Sequence, residues 1–191
     1  MKQTTKLDTL VTLGLFIAAL IMLTIALWTR PAVGHIDTEV LRVSDAIQIL
    51  QPATSDTLAR RWAVIYLDAA NETWLDPLLL VAISMRESSL LEEAEAGEYR
   101  GQLGEVGLLQ VHGVALRHRP AGCDVPLIGA FCQIHTGARF LQYVRELCGG
   151  STWRWVAAYG MSSCPSEATA HEYPGVILAY RYYREVGGEG W

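Results

Sequence analysis

The apolar positions of this chain fall into three regimes. The first is a continuous run, Leu10 to Trp28, with no charged residue among its nineteen positions. At ~1.5 Å of helical rise per residue, such a run spans about one bilayer hydrocarbon core. The second regime has helical periodicity. Val40, Leu41, Ile47 and Leu50 predict a short amphipathic helix that Pro52 ends. Trp62, Ile65, Tyr66 and Ala69 mark a helix over Leu58 to Ala70, with Ser55 or Asp56 as its cap. Ile134, Ala138, Leu141 and Val144 share one face of a long helix, Leu127 to Leu147, which Gly149-Gly150 stops. Shorter helices are expected over Gly107 to Leu116, Trp153 to Tyr159 and Val176 to Val186. The third regime is a helix body without a polar face. Asp76 and Pro77 supply its N-cap and first helical residue, and Leu78 to Met85 is apolar on every side. Such a helix belongs in the middle of a domain.

The remaining stretches read as connections. Residues 92–106 are rich in Glu and Gly and predict a surface loop, and Arg117 to Pro126 predict a loop holding Cys123. Gly187 to Trp191 predict a loose tail. No segment alternates with period two for long, so strands are few. The expectation is a mainly α domain over 55–191, joined by a membrane-proximal connector at 29–54 to a transmembrane anchor at 10–28, with 1–9 as a cytoplasmic tail.

Charge refines this picture. Lysine occurs only at Lys2 and Lys6, ahead of the long apolar run, which favours an inside N-terminus. A cleaved signal peptide is the competing reading, with Ala32-Val33-Gly34 as its small-residue site, although the run is long for that purpose. A buried core helix is a third reading, disfavoured because soluble helices are rarely apolar all round. No basic stripe interleaved with aromatics exists, which excludes nucleic acid as a partner.

Four cysteines follow the apolar run: Cys123, Cys132, Cys148 and Cys164. An even count in an exported segment predicts two disulfides. Three pairings are possible; closure of local loops favours Cys123–Cys132 and Cys148–Cys164. A zinc site drawing on His112, His118, Cys123, Cys132 or His135 is the rival, but no tight ligand spacing supports it. No metal and no cofactor are expected.

Glu87 is the most informative residue. It ends the all-apolar helix, with Ile83 four and Leu80 seven residues back on the same face. A carboxylate there loses hydration, which raises its pKa and leaves a proton to donate. Cleavage of a glycosidic bond needs such a proton for the leaving oxygen. Two further segments add context. Gly107-Leu108-Leu109-Gln110 offers close backbone approach at Gly107 and an amide at Gln110. Ala157-Ala158-Tyr159-Gly160 offers close helix packing and a phenol within reach of Glu87.

In this order and spacing the three segments resemble the transglycosylase SLT domain family, the lysozyme-like fold of the soluble lytic transglycosylases, related also to goose-type lysozyme. Asp76 through Ser88 looks like the family's catalytic helix with its Glu-Ser motif. Gly104-Glu105-Val106-Gly107-Leu108-Leu109-Gln110 looks like its glycine-x-x-glycine-leucine-x-glutamine motif. Ile134 through Leu141 is similar to the helix ahead of the third motif, and Ala157 through Gly160 to the alanine-tyrosine-asparagine motif. The likeness covers about residues 60–165. Gly160 departs from it, standing where the family usually has asparagine.

The resemblance implies a peptidoglycan lytic transglycosylase that cleaves the MurNAc–GlcNAc β-1,4 bond and leaves 1,6-anhydro-MurNAc ends. Glu87 would be its general acid and then its base, Ser88 and Gln110 would position the sugar, and Tyr159 would hold Glu87. A second carboxylate is not obvious: Glu92, Glu93, Glu95, Glu98 and Glu105 read as solvated surface. The alternatives are a hydrolytic muramidase on the same fold and an inactive, membrane-anchored glycan-binding scaffold. The expected partners are glycan strands and, through residues 10–28, a bacterial inner membrane with the domain in the periplasm. Export after signal-peptide cleavage and association with a virion are the other locations. A secretion machine or a phage assembly are settings that suit such an anchored enzyme.

Overall fold

The helices begin where the sequence supplies caps. In the computed structural model, which describes residues 33–161 and 163–191, Ser55 accepts a hydrogen bond from the Leu58 amide, and Asp76 accepts one from the Leu78 amide with Pro77 behind it. Each satisfies an amide that the first helical turn leaves without a partner. In chain order the helices are α1 (Val33–Leu50), α2 (Asp56–Thr73), α3 (Pro77–Ser88), α4 (Glu92–Glu95), α5 (Ala130–Cys148), α6 (Thr152–Met161), α7 (Glu167–Glu172) and α8 (Pro174–Glu185), with a 3₁₀ turn over Gly113–His118. The described residues hold isolated β-bridges but no strand, so the chain is mainly α. The predicted anchor at 10–28 and the tail at 1–9 lie outside the described residues. Among the described residues no helix is long and apolar enough to cross a membrane.

α3 is the centre. Leu78 through Ser84 are all buried, as a helix without a polar face requires. Full burial of side chains such as Leu80 and Ile83 contributes roughly 1.5–3 kcal/mol each. α2 and α8 pack against α3, while α5 packs against both α2 and α6. The predicted α5 face is buried in full at Ile134, Ala138, Leu141 and Val144. The disulfides pair Cys123 with Cys132 and Cys148 with Cys164. The second joins the end of α5 to the chain beyond α6.

Four expectations need correction. Residues Thr38–Trp191 form one compact unit, and α1 contributes Val43, Ala46, Ile47 and Leu50 to its core, so the segment before Ser55 is more than a connector. Of its predicted apolar face Ile47 and Leu50 are buried and Val40 packs against the core, while Leu41 is exposed. Gly107 to Leu116 is not a helix: Val106 and Val111 exchange backbone hydrogen bonds, which closes a tight turn, and the 3₁₀ segment starts only at Gly113. Residues 92–106 are not purely surface either, because Ala94 is buried and Glu95 is drawn inward. The tail is held, not loose: the Tyr183 hydroxyl lies 2.6 Å from the Glu189 carbonyl, and Trp191 meets the rings of Trp153, Tyr180 and Tyr183.

Candidate active site

Three segments distant in sequence meet at the C-terminal end of α3. The first is α3 itself, which ends on Ser88 with Ser89 in the left-handed conformation as its cap. The second is the turn 106–111. Gly107 has φ +82 there, and a Cβ at this position would lie 2.4 Å from the Gln133 side chain, so glycine is required twice over. The third is α6, which brings Tyr159 and Gly160.

Hydrogen bonds fasten the three together. The Ser88 hydroxyl, 1% exposed, shares its hydrogen between the Leu108 carbonyl at 2.9 Å and the Ser84 carbonyl at 3.1 Å. The Leu108 amide donates to Gln133 Oε1, and the Tyr159 hydroxyl donates to the Leu109 carbonyl at 2.7 Å. The Leu109 side chain lies where α5 carries Gly137; a Cβ on Gly137 would approach Leu109 Cδ1 to 2.5 Å. The turn is thus held by α3, α5 and α6 at once.

The individual roles differ from those expected. Glu87 keeps a side chain 21% exposed, and its carboxylate forms an ion pair with the Arg86 guanidinium, itself 8% exposed. The apolar setting inferred from Ile83 and Leu80 therefore gives way to a charged partner. Tyr159 does not donate to Glu87, because its hydrogen is committed to Leu109. Burial pushes the Tyr159 phenol well above its ordinary range; Arg86 opposes that shift and Tyr66 adds to it. Ser88 is buried and committed to the backbone, so it fastens the turn and does not face a ligand. Gln110 is half-buried in a left-handed conformation, with its amide nitrogen donating to the Gly107 carbonyl at 2.8 Å.

Among the described residues no second carboxylate has a recorded contact with Glu87. Glu92, Glu93 and Glu98 are exposed. Glu105 accepts from the Leu103 amide. Glu95 accepts from Trp62 Nε1, Arg61 and the Ala130 amide, which makes it a structural hub and corrects its reading as solvated surface. Among the described residues no group of His, Cys, Asp or Glu is arranged to hold a metal ion.

An open hollow of about 230 Å³ runs along α5. Val114, His118, Phe140, Tyr143 and Ala158 contribute to its walls. The Phe140 ring centre is 5.4 Å from that of Tyr159, and the His118 ring is 4.8 Å from that of Tyr143. Burial, with Arg117 nearby, lowers the His118 pKa. Aromatic faces with few charges suit the apolar face of a sugar ring. Sequence periodicity gave Phe140 and Tyr143 no distinguishing signal, and Arg86 gave none because its neighbours come from α6 and α8.

No protein-family model matches this chain, and no curated protein matches it in sequence.

Proposed function

We propose that this chain is a peptidoglycan lytic transglycosylase with a lysozyme-like fold, cleaving the MurNAc–GlcNAc β-1,4 bond with Glu87 as general acid and then base. One observation carries the reading. The three segments that resemble the SLT domain motifs, separated by up to 50 residues between bonded partners, converge on the end of α3 through the Ser88–Leu108 and Tyr159–Leu109 hydrogen bonds. The carboxylate at that junction is partly exposed.

The chemistry needs a single carboxyl. Glu87 gives its proton to the leaving glycosidic oxygen as the substrate's own N-acetyl oxygen attacks the anomeric carbon. Glu87 then takes the proton of the sugar 6-hydroxyl, whose oxygen closes the 1,6-anhydro ring and releases the N-acetyl group. No water is consumed, and no second carboxylate is called for. Gln110 carries the one polar side chain of the turn 106–111 and would contact the sugar. The apolar run at 10–28 would hold the domain at a bacterial inner membrane, on the periplasmic side, facing the glycan.

Mass spectrometry of peptidoglycan digested with the 191-residue chain tests this. Anhydro-muramyl ends are expected, and Glu87→Gln should lower their rate of formation by about 10²-fold or more. Reducing ends, heavier by one water, would instead indicate a muramidase. Turnover by Glu87→Gln near the unaltered level would refute the role of Glu87.

A further inference from the structure

Arg86 and Glu87 are neighbours on one helix, and neighbouring side chains there project roughly 100° apart. Their ion pair therefore needs the Arg86 side chain to lie back along the end of α3, inside the protein. Two glycines make the room. A Cβ at Gly160 would stand 3.0 Å from the Tyr173 hydroxyl and 3.6 Å from Arg86 Nη2. A Cβ at Gly175 would stand 3.1 Å from Arg86 Nη1 and 3.1 Å from Tyr173 Cε1. The guanidinium thus sits in a slot walled by α6 and α8 and closed by Tyr173. Among the described residues its Nη1 has no hydrogen-bond partner, which leaves the Glu87 carboxylate as the balancing charge on Nη2.

We propose that Arg86 is a positioning residue for Glu87: held in a glycine-walled slot, its guanidinium fixes the carboxylate and sets the pH range in which Glu87 can donate a proton. The proposal rests on the reading of Glu87 as the acid and base. It also gives Gly160 a purpose. An asparagine side chain at 160 would occupy space that Tyr173 and Arg86 now fill. The titratable groups that face Arg86 are Glu87 from its own helix, Tyr159 from α6 and Tyr173 at the start of α8. Phenols titrate near pH 10 and are neutral where a carboxylate titrates, so the Arg86–Glu87 pair governs that range. A guanidinium against a carboxylate favours the charged form, which confines proton donation to lower pH.

The test follows the ¹³C signal of the Glu87 carboxyl by NMR in the 191-residue chain, alongside the pH dependence of anhydro-end formation. In Arg86→Met the carboxyl titration midpoint and the basic limb of activity are both expected to move up by about one pH unit or more. Arg86→Lys should restore most of the shift. Gly160→Asn, which crowds the slot without removing the cation, should move both in the same direction as Arg86→Met. A midpoint unchanged in Arg86→Met overturns the proposal; if that variant does not fold, an unchanged midpoint in Gly160→Asn does so. Full activity in Glu87→Gln defeats the reading of the site instead, and the two failures are distinct because the NMR midpoint does not depend on turnover.

Discussion

The Tyr159 hydroxyl donates to the Leu109 carbonyl at 2.7 Å, which ties α6 to the turn that carries Gln110. Because burial keeps this phenol protonated well past its ordinary range, the bond persists into alkaline solution. Tyr159→Phe leaves a buried carbonyl without a partner and should cost about 2 kcal/mol. In a domain of this size that lowers the melting temperature by roughly 4–8 °C. An unchanged melting curve would mean that the hydroxyl is bonded elsewhere.

Gly137 lies within α5, where glycine is normally the poorer choice than alanine by about 1 kcal/mol. Here the sign should reverse. An added methyl would meet Leu109 Cβ at 2.7 Å and Cδ1 at 2.5 Å. Overpacking of this kind costs about 1–3 kcal/mol. Gly137→Ala is therefore expected to destabilise the protein in urea denaturation and to reduce activity by displacing the turn. A more stable Gly137→Ala protein would show that Leu109 does not pack there.

Gln133 is fully buried and serves four backbone groups. Its amide nitrogen is within 3.1 Å of the Ala94, Glu95 and Leu127 carbonyls, and its oxygen accepts from the Leu108 amide. Gln133→Ala strands several of them at once and should cost about 3 kcal/mol or more. Hydrogen exchange should quicken at the Leu108 amide in particular. Protection at that amide equal to the unaltered protein would contradict the arrangement.

Glu72 supplies a pH-dependent term. Its burial would raise the carboxyl pKa, but hydrogen bonds from Arg139 and His135 outweigh this and bring it below the ordinary glutamate value. A carboxyl whose folded pKa is depressed stabilises the fold above its unfolded pKa, near 4.3, and loses that contribution as pH falls through the lower folded value. Thermal melts should decline across that acid window. Glu72→Gln should flatten the decline while lowering stability at pH 7; an identical acid limb in both proteins would assign the effect to other carboxyls.

Local chemistry made α3 legible in the sequence. The Asp76 cap, Pro77 and a helix body without a polar face each act within a few residues, and together they placed the helix at the centre and Glu87 at its end. The faces of α2 and α5 were legible for the same reason. The pairings that shape the site were not. Glu95 meets Arg61 and Ala130 across more than 30 positions, Tyr159 meets Leu109 across 50, and Arg86 depends on glycines in two later helices. A carboxylate in a stretch such as Glu92-Glu93-Ala94-Glu95 carries no local mark that tells the half-buried member from its exposed neighbours. The stretch Gly107 to Leu116 reads as a helix in sequence because its apolar Leu108, Val111 and Ala115 fall at helical spacing. Only the positive φ at Gly107 and Gln110 reverses the chain there.

The start of α5 has one more implication. Gly129, its N-cap, offers no side-chain acceptor, and the first amide of the helix is received by Glu95 Oε1 at 3.3 Å from 35 positions upstream. The helix therefore borrows its opening cap from a distant segment, and its first turn gains that support only once the two segments have met. Secondary structure and collapse become one event at this point. A peptide spanning α5 alone would fray at its N-terminus, and mutations at Glu95 would register in folding kinetics as well as in equilibrium stability.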